Sequence, residues 1–370
     1  MQIHFPSGLK LPWPNTSQDR GYTITLDPTR EDWLKARAND VTASAAGALV
    51  GVHDYQTALG LWSLKSGKTS EDPEESGPMR RGRLLEPVAL QMLREDRPQW
   101  QCFGGVNHYW RDPARRIGAT PDCYVVDEAG RHCVVQFKTV EPSVFVRKWQ
   151  GGDRYGVIEP PLWIVIQAIL EAELTGAEKA YVAALVIGFG IELHIIEVPL
   201  HAGILEKIRG CVAEFWQLIE RNEMPPANYG KDADLLAKLF PIRDGLVLDL
   251  TDDNQLPELV AEDAIEAAKQ KDAETRRKAI KAEVRHKLGI AASALAGDGK
   301  PGEATIAMYQ GGIITAKNIL RRGYTTKDTT YLDVRMKPGK DLSDATKAKA
   351  TKPKRGAAPK TIEAEGEEIF

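Results

Sequence analysis

Apolar positions recur along the chain at two periods, and the change between them marks out its elements. A helical spacing opens at REDWLKARANDV, with Trp33 and Leu34 on one side and Arg37 one turn on from Trp33 on the same face. TASAAGALVGV follows, where Thr42 and Ser44 suit a helix cap and the small apolar residues suit tight packing. Residues 66–78, SGKTSEDPEESGP, read as a polar loop, and GRLLEPVALQMLRE from Gly82 reads as an amphipathic helix. Strand-like runs then centre on HYW near Tyr109, on DCYVVD and on HCVVQFKTV, the last two joined by EAGR, whose Gly130 suits a hairpin turn. After an irregular stretch holding Gly151 and Gly152, PPLWIVIQAILEAELTG predicts a helix stopped by Gly176. AYVAALVIG and IELHIIEVP predict a strand pair, and CVAEFWQLIERN a helix ending before Pro225 and Pro226. This order predicts an α/β (α+β) fold with a mixed central sheet flanked by helices.

Beyond about residue 250 the composition shifts. ELVAEDAIEAAKQKDAETRRKAIKAEVRHKL predicts a charged helix with one apolar seam; ATIAMYQGGIITAKNIL and TYLDVRMKP look like strands. From about Lys340 the chain is low in complexity, with a basic run (Lys347, Lys349, Lys352, Lys354, Arg355, Lys360) passing into IEAEGEEIF. The organisation expected is an arm over 1–29, a main domain over 30–230, a helical and strand extension over 231–338, and a disordered basic then acidic tail over 339–370.

The chain has 370 residues, 42% hydrophobic and 27% charged, with no apolar run long enough to span a bilayer, so a cytoplasmic protein without a membrane partner is expected. The net charge of −3 means that any nucleic-acid contact rests on local patches. Cys102, Cys123, Cys133 and Cys211 show no metal-ligand spacing and are expected as reduced, mostly buried thiols. His53, His108, His132 and His194 are expected as ordinary surface or strand histidines, and no Walker-type loop supports ATP use.

One constellation carries chemistry. Asp122 begins one strand of the expected hairpin, while Gln136 and Lys138 lie two apart on the other and project to the same side. Glu86, on the helix after the polar loop, is a third acidic candidate. Carboxylates and carbonyls suit magnesium, and a lysine beside an attacking water can lower its pKa or stabilise charge on a phosphate. Arg80, Arg81 and Arg83 form one local basic patch, and Arg147, Lys148 and Arg154 another, with Trp149 and Tyr155 among them as candidates for base stacking.

Five segments in order resemble the lambda-exonuclease and YqaJ-type viral recombinase nucleases of the PD-(D/E)XK superfamily. WLKARANDVTAS (33–44) resembles their W-x-x-x-R…I-T-A-S opening, RGRLLEP (81–87) their G-x-x-x-E-P helix, and GATPDCYV (118–125) their A-T/S-P-D-G segment. VVQFKT (134–139) resembles their L-E-x-K-T strand, and WIVIQAILEAELTG (163–176) their glutamine-bearing helix. The resemblance implies a restriction-endonuclease-like core that uses Mg²⁺ or Mn²⁺ to digest linear double-stranded DNA 5′ to 3′, leaving 3′ single-stranded overhangs for phage-type recombination.

It further implies catalytic roles for Glu86, Asp122, Gln136, Lys138 and Gln167. Metal ligation falls to Asp122, Gln136, Glu86 and the backbone carbonyl of Phe137. Arg37, Ser44 and Thr120 would grip the 5′-phosphate, with Arg81, Arg147 and Lys148 on the DNA backbone. A phage or prophage setting in a bacterial host, a ring that is commonly a trimer, and a single-strand annealing protein as partner are implied likewise. The acidic, Phe-ended tail loosely resembles those with which single-stranded-DNA-binding proteins recruit recombination or replication partners, but is expected as a merely solubilising disordered segment.

Two positions depart from the pattern. Gln136 stands where the family has Glu, and Cys123 where it has Gly. An amide brings no negative charge, so metal affinity falls unless another carboxylate compensates. Glu171, one helical turn beyond Gln167 and on the same face, could supply that charge, but is expected as a solvent-facing helix residue. The departures leave two alternatives open: an inactive DNA-end-binding module, and a PD-(D/E)XK endonuclease.

Overall fold

A computed structural model of the chain describes residues 21–26, 28–69, 76–104, 107–242, 245, 247–294, 305–309 and 312–316. The chain divides into two compact units, Met1–Asp244 and Gly245–Phe370.

The first unit opens with β1 (Thr23–Leu26) and α1 (Arg30–Ala38), whose start is fixed by Thr29 accepting from the Asp32 amide. β2 (Val41–Thr42) leads into α2, which lasts only over Ala43–Ala46. Ser44 therefore lies inside α2, and the cap position falls to Thr42 alone. α3 (Ala58–Lys65) was not legible as a helix in the sequence. α4 (Gly77–Asp96) begins five residues ahead of the expected Gly82, because Ser76 accepts from the Met79 amide and Pro78 occupies the first turn, where its missing N–H costs nothing.

β3 (Gln101–Gly104), β4 (His108–Asp112), β5 (Ile117–Ala119), β6 (Cys123–Val126) and β7 (His132–Val140) follow. The β6–β7 turn places Gly130 at φ 75°, a backbone that glycine adopts without strain. α5 (Pro142–Trp149) fills part of the stretch expected to be irregular. α6 (Leu162–Thr175) ends on left-handed Gly176, as expected. β8 (Lys179–Ile187), β9 (Ile191–Val198), α7 (Ala202–Glu220) and α8 (Tyr229–Leu239) complete the unit.

The central sheet has the order β3-β6-β7-β8-β9, with β7 and β8 parallel and the other pairs antiparallel. This is the mixed sheet flanked by helices that the pattern predicted. A parallel pair needs a crossover, and α5 and α6 supply it. Alternation along β7 sends Val134 and Val140 into a core shared with Ile164, Ile169 and Leu170 of α6, and Cys133, Val135 and Phe137 into a second core with Ala89, Leu90 and Leu93 of α4. A smaller sheet, β1-β4-β5-β2, adjoins the α6 side. The four cysteines are unpaired, and Cys123 and Cys133 are buried.

The second unit, taken by itself, holds α9 (Leu256–Ser293), none of whose residues is buried, and a hairpin of β10 (Thr305–Tyr309) and β11 (Gly312–Ala316). The run expected as one strand over ATIAMYQGGIITAKNIL is thus two strands, folded where Tyr309 pairs with Gly312. The TYLDVRMKP run, the tail from Lys340 and most of the N-terminal arm lie outside the described residues. Among the described residues, no helix is long and apolar enough to cross a membrane.

Candidate active site

The β6–β7 ladder brings the catalytic candidates together. Cys123 pairs with Val135, so Asp122, one residue earlier, falls opposite Gln136. Asp122 Oδ2 accepts from the Phe137 amide at 2.8 Å and from the Gln136 side-chain amide in a very short contact. Gln136 is buried, and its Oε1 has no hydrogen-bond partner. Lys138, on the same face as Gln136, points to α6 and donates to Gln167 Oε1 at 3.0 Å.

Asp122 lines two cavities. One, of about 190 Å³, is bounded by Gly82, Glu86 and Ala89 of α4 together with Gln136, Phe137 and Thr139 of β7. The other, of about 220 Å³, is bounded by Trp33, Arg37, Ser44 and Thr120 with Gln167 and Glu171 of α6. All three residues expected at a phosphate, Arg37, Ser44 and Thr120, thus share a cavity with Asp122. Two contacts organise its wall: Trp33 Nε1 donates to Thr120 Oγ1 at 3.2 Å, and the Arg37 guanidinium lies 4.2 Å from the Trp33 ring centre. Gly47 lets α2 approach α6, since a Cβ there would meet Trp163 Cβ at 2.7 Å.

Low solvent access shapes the electrostatics. Burial and the neighbouring Asp122 push Glu86 up to about 7. Burial pushes Asp122 itself up to about 6, against the pull of Lys138 and the two amide donors. Burial draws Lys138 below the ordinary lysine range, while Asp122 and Glu171 oppose that shift. Such concentrated perturbation is typical of functional clefts.

Glu171 corrects the expectation of a solvent-facing residue. It is 1% exposed, accepts from Gln167 Nε2 at 2.9 Å, and is held well above the ordinary carboxylate range by burial and by Asp122. The physical reason is that α6 is apolar almost all round and so has no polar face to turn outward. Trp149 also differs from expectation: it is buried against Phe145, so it offers no stacking surface. Arg147 and Lys148 are exposed beside it, Lys148 ion-paired with Asp54 at 2.7 Å, and Arg81 is half-buried on α4; none of the three lines either cavity. His53 is a buried loop residue rather than a surface or strand one, its Nδ1 accepting from the Tyr55 and Gln56 amides. Trp163, which sequence reasoning passed over, lies with its ring centre 5.2 Å from the Lys138 ammonium; its position four residues before Gln167 was the available signal.

The donors around Asp122 are oxygen atoms, the kind that hold magnesium or manganese. Glu86, Asp122 and the orphaned Gln136 oxygen fit such a cation. Among the described residues no three His, Cys, Asp or Glu side chains cluster for one.

Residues 32–178 match the YqaJ-like viral recombinase domain. No curated protein matches the chain. Among solved structures, an alkaline exonuclease from Laribacter hongkongensis is similar at 18% identity over 57% of this chain and 100% of its own, with a TM-score of 0.40. The same enzyme in complex with dAMP gives 20% identity, 55% and 99% coverage and a TM-score of 0.41. A SOX–DNA complex gives 10% identity, 51% and 67% coverage and a TM-score of 0.34.

Proposed function

We propose, from the match of residues 32–178 to the YqaJ-like viral recombinase domain, that the chain is a metal-dependent exonuclease that digests linear double-stranded DNA from its 5′ ends, leaving 3′ overhangs for recombination. One observation carries the reading: Asp122 is shared between a cavity lined by Glu86 and Gln136 and a cavity lined by Arg37, Ser44 and Thr120. A cation-binding face and an anion-binding face thus meet at one carboxylate, which suits a scissile phosphate placed one nucleotide from a terminal phosphate.

Asp122, Glu86, the Gln136 amide oxygen and the Phe137 carbonyl would hold a divalent cation, which would supply charge neutralisation and an activated water. The chain's own groups do the rest. Lys138 stabilises the negative charge that grows on the non-bridging oxygens as water adds to phosphorus and the bond to the 3′ oxygen breaks. Gln167 holds the lysine on that line. Arg37, Ser44 and Thr120 fix the end of the duplex, so the reacting phosphate is positioned before chemistry begins. Exposed Arg147 and Lys148 and half-buried Arg81 serve the duplex backbone. A ring assembly, an annealing partner and a role for the tail in recruiting other proteins belong to the same reading.

The test is digestion of end-labelled linear duplex by purified protein with Mg²⁺ or Mn²⁺. Metal-dependent release of 5′ label supports the reading, and Asp122→Ala or Lys138→Ala abolishes it. Retained end binding without release favours a binding module, which the neutral Gln136 permits. Internal cuts in circular DNA favour an endonuclease.

A further inference from the structure

The mechanism above leaves one buried carboxylate unused. Glu171 lies on α6 with 1% of its surface exposed and shares the Arg37–Thr120 cavity with Asp122. Its Oε1 accepts from Gln167, but its Oε2 has no hydrogen-bond partner. A buried carboxylate oxygen without a donor is costly, and an apolar side chain would suit this helix better. The buried Gln136 Oε1 is orphaned in the same way. Asp122, whose carboxylate takes the Gln136 amide, lines the cavity of each residue: the Gln136 cavity and the Glu171 cavity. Unsatisfied acceptors at both cavities, joined by a carboxylate, suit a group that seeks acceptors and brings positive charge. Lys138 does not fill this role, because it donates to Gln167.

We propose that Glu171 supplies the carboxylate charge that Gln136 withholds, joining Asp122 in binding the divalent cation. The inference rests on the metal-dependent reading above. It explains how an amide can stand at position 136: the charge is delivered from α6, one turn beyond Gln167, instead of from β7. The rival role for Glu171 is to orient Gln167 alone. The two differ in charge, since Glu171→Gln keeps the volume and an acceptor for the Gln167 amide but removes the negative charge.

The deciding experiment is calorimetric titration of Mn²⁺ into the metal-stripped full-length protein, without DNA. Glu171→Gln is expected to weaken binding roughly tenfold to a hundredfold, and adding Gln136→Glu to that variant is expected to bring affinity back toward that of the unaltered chain. Unchanged affinity in a folded Glu171→Gln protein overturns the proposal and leaves Glu171 as a positioning residue. If that variant does not fold, Gln136→Glu alone decides: little gain in affinity supports a charge already present, and a large gain overturns it. An unaltered chain that takes up no Mn²⁺ overturns the metal-dependent reading and this inference together.

Discussion

Lys138 and Gln167 meet across the sheet and helix α6, the lysine ammonium donating to the glutamine oxygen at 3.0 Å. The other end of the same amide donates to Glu171, so its orientation is fixed by a cation on one side and a carboxylate on the other. Gln167→Met keeps most of the volume and removes both bonds. Turnover is expected to fall roughly tenfold to a hundredfold, the usual cost of losing a residue that orients an active-site group. KM for duplex DNA should hold, because Gln167 is not among the residues proposed to hold the phosphate. Steady-state kinetics on end-labelled duplex checks this; a rise in KM with turnover intact would mean that Gln167 acts in binding.

Arg37 stacks on Trp33, whose indole is tied to Thr120, so its guanidinium is presented to the cavity from a braced platform. A charge-assisted contact is worth about 1.5–3 kcal/mol. Arg37→Ala should therefore slow digestion of 5′-phosphorylated ends roughly tenfold to a hundredfold more than that of 5′-hydroxyl ends. Equal slowing of the two substrates would assign Arg37 to the backbone or to the fold.

The hairpin that bears this chemistry was readable because its information is local. DCYVVD, EAGR and HCVVQFKTV contain strand, turn and strand, and the register that puts Asp122 beside Gln136 follows from the turn. The stop at Gly176 was readable for the same reason, whereas Gln167 was singled out by the family resemblance. The places of Glu171 and Trp149 were not readable. Spacing along a helix says which residues share a face, but α6 buries residues on all its faces and gives no cue to which side meets water. Trp149 sits in a polar-looking stretch, and only the approach of Phe145 shows that its ring belongs to the core. Thr57 and Asp232, which tie α3 to α8, are 175 residues apart, a distance over which no local pattern speaks.

Glu86 and Asp122 give a pH dependence with a definite sign. Their carboxyls are raised by burial to about 7 and about 6 in the folded, metal-free protein. A carboxyl raised on folding binds more protons folded than unfolded, so the metal-free protein loses stability as pH rises from about 4 toward about 7. Urea melts in a chelator at pH 5 and pH 8 should show it, and Glu86→Gln should shrink the difference. Metal requires the ionised form, so Mn²⁺ affinity should rise through the same interval. Affinity independent of pH between 5.5 and 8 would remove both carboxyls from the site.

Asp232 bears on where the first unit ends. The first compact unit runs to Asp244 and contains α8, whereas the expected main domain ends at residue 230. Asp232 is buried and accepts from Thr57 Oγ1 at 2.6 Å and from the Asn228 amide at 2.7 Å. Thr57 in turn caps α3 by accepting from the Gly60 amide at 2.9 Å. One carboxylate therefore holds the start of α8 and the cap of α3 together. Asp232→Ala leaves the Thr57 hydroxyl and the Asn228 amide without their buried partner, which costs about 1–3 kcal/mol. A fragment ending at residue 230 removes the same contact together with the α8 side chains Leu235, Leu236 and Leu239 that pack on the main core. It should melt earlier than a fragment ending at residue 244, by more than Asp232→Ala alone, since burial of several leucines adds to the hydrogen bonds. Thermal denaturation of the two fragments and of the point variant measures the ordering directly. Equal melting temperatures for the fragments would show that α8 is an appendage and that the domain closes before Asp232.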